Sequence, residues 1–169
     1  MNRSQAALWG LRNLRIGEQS GALAPAAPPD GALYWFSQLQ ELGIYHQALG
    51  KWLSARTITL AGSASSGVTN AYISIPGGLT MSATMGYKLP FNATLVEVYA
   101  QKGAPGDTPT YEVRANGSAK TTFQLAGGEQ LYYNSGLRVD FSKDDIVSYF
   151  VTGTATVGAG VTAIFRRRL

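Results

Sequence analysis

One histidine, His46, and ten acidic residues are the groups of this chain that could move protons near neutral pH, and there is no cysteine. Without cysteine, disulfides, thiolate metal sites and thiol nucleophiles are excluded. A Ser/His/Asp triad would rest entirely on His46, which lies inside a run of aromatic residues; a side chain packed between strands is the plainer reading. Asp144 and Asp145 are adjacent and point to opposite sides of an extended chain, so they read as turn and strand-entry residues rather than an acid/base pair. Glu97, Glu112 and Glu129 are scattered. Cleavage of a polysaccharide by two carboxylates would need a pair brought together in space, and no motif marks one. No Gly-rich phosphate loop precedes a helix, and no cofactor or metal is implied. The chemistry left is that of surfaces. Tyr132, Tyr133 and Tyr149 offer rings on which a sugar could stack, although such residues more often serve as core or interface.

Composition points the same way. Of 169 residues, 45% are apolar and only 14% charged. That leaves enough apolar material for a core and a surface poor in charge, of the kind covered by partners or by further copies of the chain. Twenty glycines and few Glu and Lys favour strands and turns. The net charge of +4 is uneven, with Arg3, Arg12 and Arg15 near the start and Arg166, Arg167 and Arg168 at the end. The terminal run reads equally as a solvated end or as a contact for an acidic partner; nucleic acid is not an expected partner. The first ten residues hold no long apolar stretch, and no run approaches membrane-spanning length, so neither a secretory signal nor membrane insertion is expected.

Three segments follow. Residues 1–30 form an extended arm. Leu8, Leu11 and Leu14, with Trp9 and Ile16, could make one short helical stripe over 4–16, weakened by Gly10 and missing caps. Residues 17–30 carry Pro25, Pro28 and Pro29 and read as extended. Residues 31–56 are the densest aromatic stretch: Leu33, Tyr34, Trp35 and Phe36, then Ile44 and Tyr45, then Trp52. They read as a hairpin, which is marginal alone in water and needs a platform. Residues 57–169 are a β region of about eight short strands, read as a jelly-roll-like β-sandwich. Within it 79–85 alternates as a strand, and Asn116-Gly117 is a type I′ hairpin signal, with a longer loop also allowed by the spacing.

The pattern G-x-L-Y-W, L-x-I-Y, G-K-W, carried by Gly31, Leu33, Tyr34, Leu42, Ile44, Tyr45, Gly50 and Trp52, resembles the small hairpin module of bacteriophage tail-fibre, head-fibre and related virion proteins. The order L-P-F-N-A-T-L-x-x-V, Y-E-V-R-A-N-G, L-R-V-D-F-S-K-D-D-I-V-S-Y-F-V and V-T-A-I-F-R-R-R over 89–168 resembles the distal β-sandwich of phage fibre and decoration (cement) proteins. The chain departs from that pattern at Lys143-Asp144, where Ala-Gly is common. The resemblance implies a homotrimeric particle-surface protein made in a bacterial cytoplasm. It would dock on a major capsid protein, or on tail- or portal-associated proteins, through Leu8, Trp9, Leu11, Arg12, Leu14 and Arg15. Its trimer interface would be Leu33, Tyr34, Trp35, Phe36, Ile44, Tyr45 and Trp52. A short tail fibre recognising host surface glycans through Tyr132 and Tyr133 is the alternative, and a glycan-cleaving enzyme the remote one.

Overall fold

The computed structural model describes residues 14–15, 28–36, 38–153 and 156–169, with Leu14 and Arg15 described through their backbone alone. The protein is all-β, and it divides into two compact units, Met1–Thr57 with Arg166–Leu169, and Ile58–Phe165.

The first unit is built on a hairpin. β1 (Leu14–Arg15) pairs in parallel with β2 (Leu33–Phe36), which pairs antiparallel with β3 (Glu41–His46). After one 3-10 turn at Gln47–Leu49, β3 pairs with the start of β4 (Lys51–Ser63). Leu14 and Arg15 are therefore strand, not helix: their backbone pairs with Leu33 and Tyr34. The side-chain period of two then sorts the hairpin. Tyr34 lies opposite Gly43, and Tyr45 opposite Trp52. Tyr34, Tyr45 and Trp52, each 8% exposed, form a small core with Phe36 and Leu169 against it. Trp52 is its hub, with ring centroids 5.3 Å from Tyr45, 5.6 Å from Tyr34 and 5.7 Å from Phe36. Gly43 lies beneath these rings, where a Cβ would fall 2.5 Å from the Phe36 ring, so only glycine fits.

The second unit is a sandwich of two sheets. Its other strands are β5 (Ala71–Tyr72), β6 (Tyr87–Lys88), β7 (Ala93–Gln101), β8 (Pro109–Ala115), β9 (Ser118–Gln124), β10 (Leu131–Asn134), β11 (Val139–Phe141), β12 (Ile146–Gly153) and β13 (Gly160–Arg168). One sheet runs β4, β13, β7, β10, with β11 also along β7; the other runs β5, β12, β8, β9, with β6 beside β12. Alternation is clearest in β8, where Tyr111, Val113 and Ala115 face inward and are buried. They meet Leu60, Val98, Val161 and Phe165 from the facing sheet, and each such aliphatic or aromatic side chain contributes roughly 1.5–3 kcal/mol on burial.

Three tyrosine hydroxyls cross the sandwich. Tyr149 donates to Leu60 O at 2.8 Å, Tyr111 to Gln101 O at 2.5 Å and Tyr87 to Ala61 O at 2.6 Å. Each donor belongs to the β5–β12–β8–β9 sheet with β6, and each acceptor to the sheet opposite. The hydroxyls therefore satisfy main-chain carbonyls at the sheet-to-sheet interface, where an unpaired polar group is costly.

Two local expectations change, and a third is met in its shorter form. Residues 79–85 are not a strand: Ser82 N–H donates to Met85 O at 2.8 Å, closing a turn that buries Met81 and leaves Leu79 and Met85 exposed. Asn116-Gly117 is a two-residue turn with both residues at positive φ (51° and 82°) and Ala115 opposite Ser118, the shorter of the loops the spacing allows. The last four residues cluster with the hairpin rather than with the 57–169 segment, because Leu169 N–H donates to Trp52 O at 3.0 Å and Leu169 packs on the aromatic core.

Candidate functional site

Several carboxylates among the described residues are engaged in structural bonds. Glu112 holds Arg114 at 2.7 Å, and that guanidinium lies 3.7 Å from the Phe150 ring centroid. Asp140 accepts from Thr94 at 2.8 Å, and Glu129 from Ala126 N–H at 3.2 Å. Asp144 meets Lys88 at 3.1 Å, while Asp145 accepts from Asn116 and from Ser142 N–H, each at 2.8 Å. The two neighbouring aspartates thus act apart, but Asp144 sits in a turn at positive φ, so the turn rather than strand alternation separates them. Among the described residues no three His or acidic side chains converge as metal ligands would. A cation lies beside His46: Arg166 Nη1 is 3.4 Å from Nε2. The terminal arginines fold along the hairpin, where Arg167 meets Glu41 at 3.6 Å.

Among the described residues, a groove that could hold a ligand lies on the outer face of the β4–β13–β7–β10 sheet. Outward positions on β4 and β13 are small: Ala61, Ser63, Gly160 and Thr162. On β7 and β10 they become tall: Tyr99, Gln101, Leu131 and Tyr133. The step between them makes an open groove of about 590 Å³, with Pro76 also on its lining. A second hollow of about 380 Å³ shares Ser63 and Pro76 with it and is lined by Ser65, Ser66, Ser74 and Thr80.

The wall of the groove is ordered by one carboxylate. Tyr99 and Tyr133 stand directly opposite in the β7–β10 ladder and stack at 4.5 Å between centroids with 23° between planes. Both hydroxyls donate to Glu97 Oε2, at 3.3 Å from Tyr99 and 3.4 Å from Tyr133. The Tyr133 hydroxyl beside it, with Glu97 adding to the effect, pushes the Tyr99 hydroxyl up to about 12. Like an ordinary phenol, it is protonated across the physiological range. Yet the pair stays open to solvent, with Tyr99 42% and Tyr133 55% exposed; Leu131, at 74%, flanks them.

Of the two sugar-stacking residues expected from sequence, only Tyr133 faces out. Tyr132 turns inward and stacks on Phe123 at 4.8 Å and 10°, so its ring belongs to the sandwich edge. Tyr149, the third tyrosine considered, is fully buried. The outward partner of Tyr133 is Tyr99, which sequence reading did not single out. Alternation within β10 would have separated Tyr132 from Tyr133, but only the β7–β10 register supplies Tyr99.

The expected interface set is likewise divided by the pleat. Tyr34, Phe36, Tyr45 and Trp52 lie on the face of the hairpin's own core, whereas Leu33, Trp35 and Ile44 lie on the other, half-buried. Tyr34, Tyr45 and Trp52, expected at an interface between copies, are buried within a single chain. Of the expected docking residues, Leu8, Trp9, Leu11 and Arg12 lie outside the described residues, and Leu14 and Arg15 are placed as β1. No helix among the described residues is long and apolar enough to cross a membrane. Compared with protein-family models and with curated proteins, the chain matches none.

Proposed function

We propose that the chain is a structural protein of a bacteriophage particle surface, of head-fibre or decoration type, present as a homotrimer and acting by binding rather than turnover. The observation that carries this reading is the division of the chain into a hairpin unit with its own aromatic core and a β-sandwich with a separate one. A display protein needs such a division: one module to attach and associate, another to project. The engagement of the carboxylates in structural bonds supports a non-enzymatic role. The jelly-roll-like form of the head belongs to the same proposal.

In this reading the arm anchors on a capsid protein, or on a tail- or portal-associated one, through Leu8, Trp9, Leu11, Arg12, Leu14 and Arg15. The hairpin face bearing Leu33, Trp35 and Ile44 meets its copies around the three-fold. Three arms held together raise a weak single-arm affinity by avidity. The second reading, a short tail fibre or receptor-binding protein, is favoured by the open Tyr99–Tyr133 pair.

Gold-labelled antibody against the 58–165 head, applied to particles from the producing culture, tests the proposal. Label on intact tailless capsids is expected. Label confined to tails selects the second reading, and absence of label from particles overturns both. A chain lacking residues 1–30 is expected to lose particle binding; retained binding removes the arm as the anchor.

A further inference from the structure

We infer that the groove beside Tyr99 and Tyr133 is a binding site for a neutral oligosaccharide. This goes beyond particle attachment and stands wherever the chain is carried. Sugar rings present apolar C–H faces bounded by hydroxyls, so they bind where a fixed aromatic surface adjoins scattered hydrogen-bonding groups. Both parts are present. The stacked pair presents one continuous aromatic surface, with both phenols directed to Glu97. The hydroxyls of Ser63 and Thr162 and the amide of Gln101 supply hydrogen-bonding groups without charge.

The groove's volume of about 590 Å³ falls within the range of small-ligand sites. A hydroxyl-lined hollow of about 380 Å³ shares Ser63 and Pro76 with it, so a ligand of several sugar units has hydrogen-bonding surface beyond the groove. The charge pattern selects the class. Neither hollow has a lysine or arginine on its walls, and the ionised group at the tyrosines is the Glu97 carboxylate. An anionic sugar such as a sialic acid, or a phosphate-bearing one, would meet a like charge and no counter-ion. Glu97 acts as a positioning residue, through the two phenols.

The test is a titration of the full chain with a cello-oligosaccharide and a chito-oligosaccharide, with a sialylated trisaccharide as the anionic comparison. It is followed by NMR at the Tyr99 and Tyr133 ring protons. Saturable shifts with at least one neutral probe are expected. Tyr133→Ala, at an exposed site that leaves the core intact, is expected to weaken binding about tenfold. Glu97→Ala, which removes the acceptor of both phenols, is expected to weaken it less and to broaden the Tyr99 signal without the sugar. Three outcomes overturn the proposal: no saturable shift with either neutral probe, equal affinity in wild type and Tyr133→Ala, or tighter binding of the sialylated probe.

Discussion

Tyr149 and Leu60 lie on opposite sheets of the sandwich, and the tyrosine hydroxyl donates to the Leu60 carbonyl at 2.8 Å from a fully buried side chain. A carbonyl at that depth has no water to turn to. Tyr149→Phe keeps the ring's packing and removes the donor, so it should cost about 1–2 kcal/mol, most of it the unpaired carbonyl. Tyr87→Phe, at a half-buried site, should cost less because water can replace the hydroxyl. Urea unfolding of the two variants measures this; an equal cost for both would show that depth does not set the price of the lost bond.

The same cross-sheet bonds make alkaline stability a readout of the core. Burial, with the Asp107 charge adding to it, pushes the Tyr111 hydroxyl up to about 12, and burial pushes Tyr149 well above the ordinary value. Below pH 10 both the folded and the unfolded chain keep these protons. Between pH 10 and about 12 the unfolded chain releases its tyrosine protons while folded Tyr111 retains its own. The native state then binds more protons, so stability falls as pH rises through that window. Tyr111 alone accounts for a loss on the order of 2 kcal/mol. Chemical denaturation at stepped pH should show the decline, and Tyr111→Phe should flatten it. An unchanged slope in Tyr111→Phe would assign the decline to other groups.

What could be read from sequence follows from which forces act locally. The Asn116-Gly117 turn was legible because two consecutive positive-φ residues between alternating runs have few other uses. The all-β class was legible in composition. Strand β10 was not: Leu131–Asn134 is four residues between glycine-containing loops, too short for alternation to declare itself. Residues 79–85 show the converse, since alternating Leu79, Met81, Ala83 and Met85 mimic a strand while Ser82 hydroxyl and main-chain bonds fold them into turns. The groove was half legible. Tyr133 stood out by type, but its partner Tyr99 and the carboxylate that fixes both come from β7, and only sheet register brings β7 to β10.

Lys102 is 3% exposed, and its ammonium is held by main-chain carbonyls of Asp107, Ala126 and Gly127, the last two at 2.7 Å and 3.4 Å. It ties the 103–108 loop to the 126–128 turn. Lys102→Met keeps the stem and removes three charge-assisted bonds, so it should destabilise the sandwich by about 3 kcal/mol. The loss should be local first. Gly106 N–H, which donates to Gly127 O at 2.6 Å, should exchange with solvent faster well below the unfolding midpoint. If Gly106 stays as protected as in the wild type, the clamp does not hold these loops together.

The two adjacent aspartates should respond in opposite senses. Asp144 sits at φ 70°, and its N–H is fixed by Leu89 O at 2.8 Å. Its side chain contributes one exposed ion pair with Lys88, worth about 0–1 kcal/mol. Asp144→Gly gives up that pair and relieves a left-handed backbone cost of about 1 kcal/mol, so stability should hold or rise slightly. Asp145 instead ties Asn116 of the β8–β9 turn to the Ser142 amide at the entry to β12. Asp145→Ala should therefore cost about 1–2 kcal/mol through two lost hydrogen bonds to a carboxylate, and should loosen the turn as well. Thermal unfolding of the two variants side by side decides the matter. A loss in Asp144→Gly as large as that in Asp145→Ala would mean that the Lys88 pair, rather than the backbone conformation, governs residue 144.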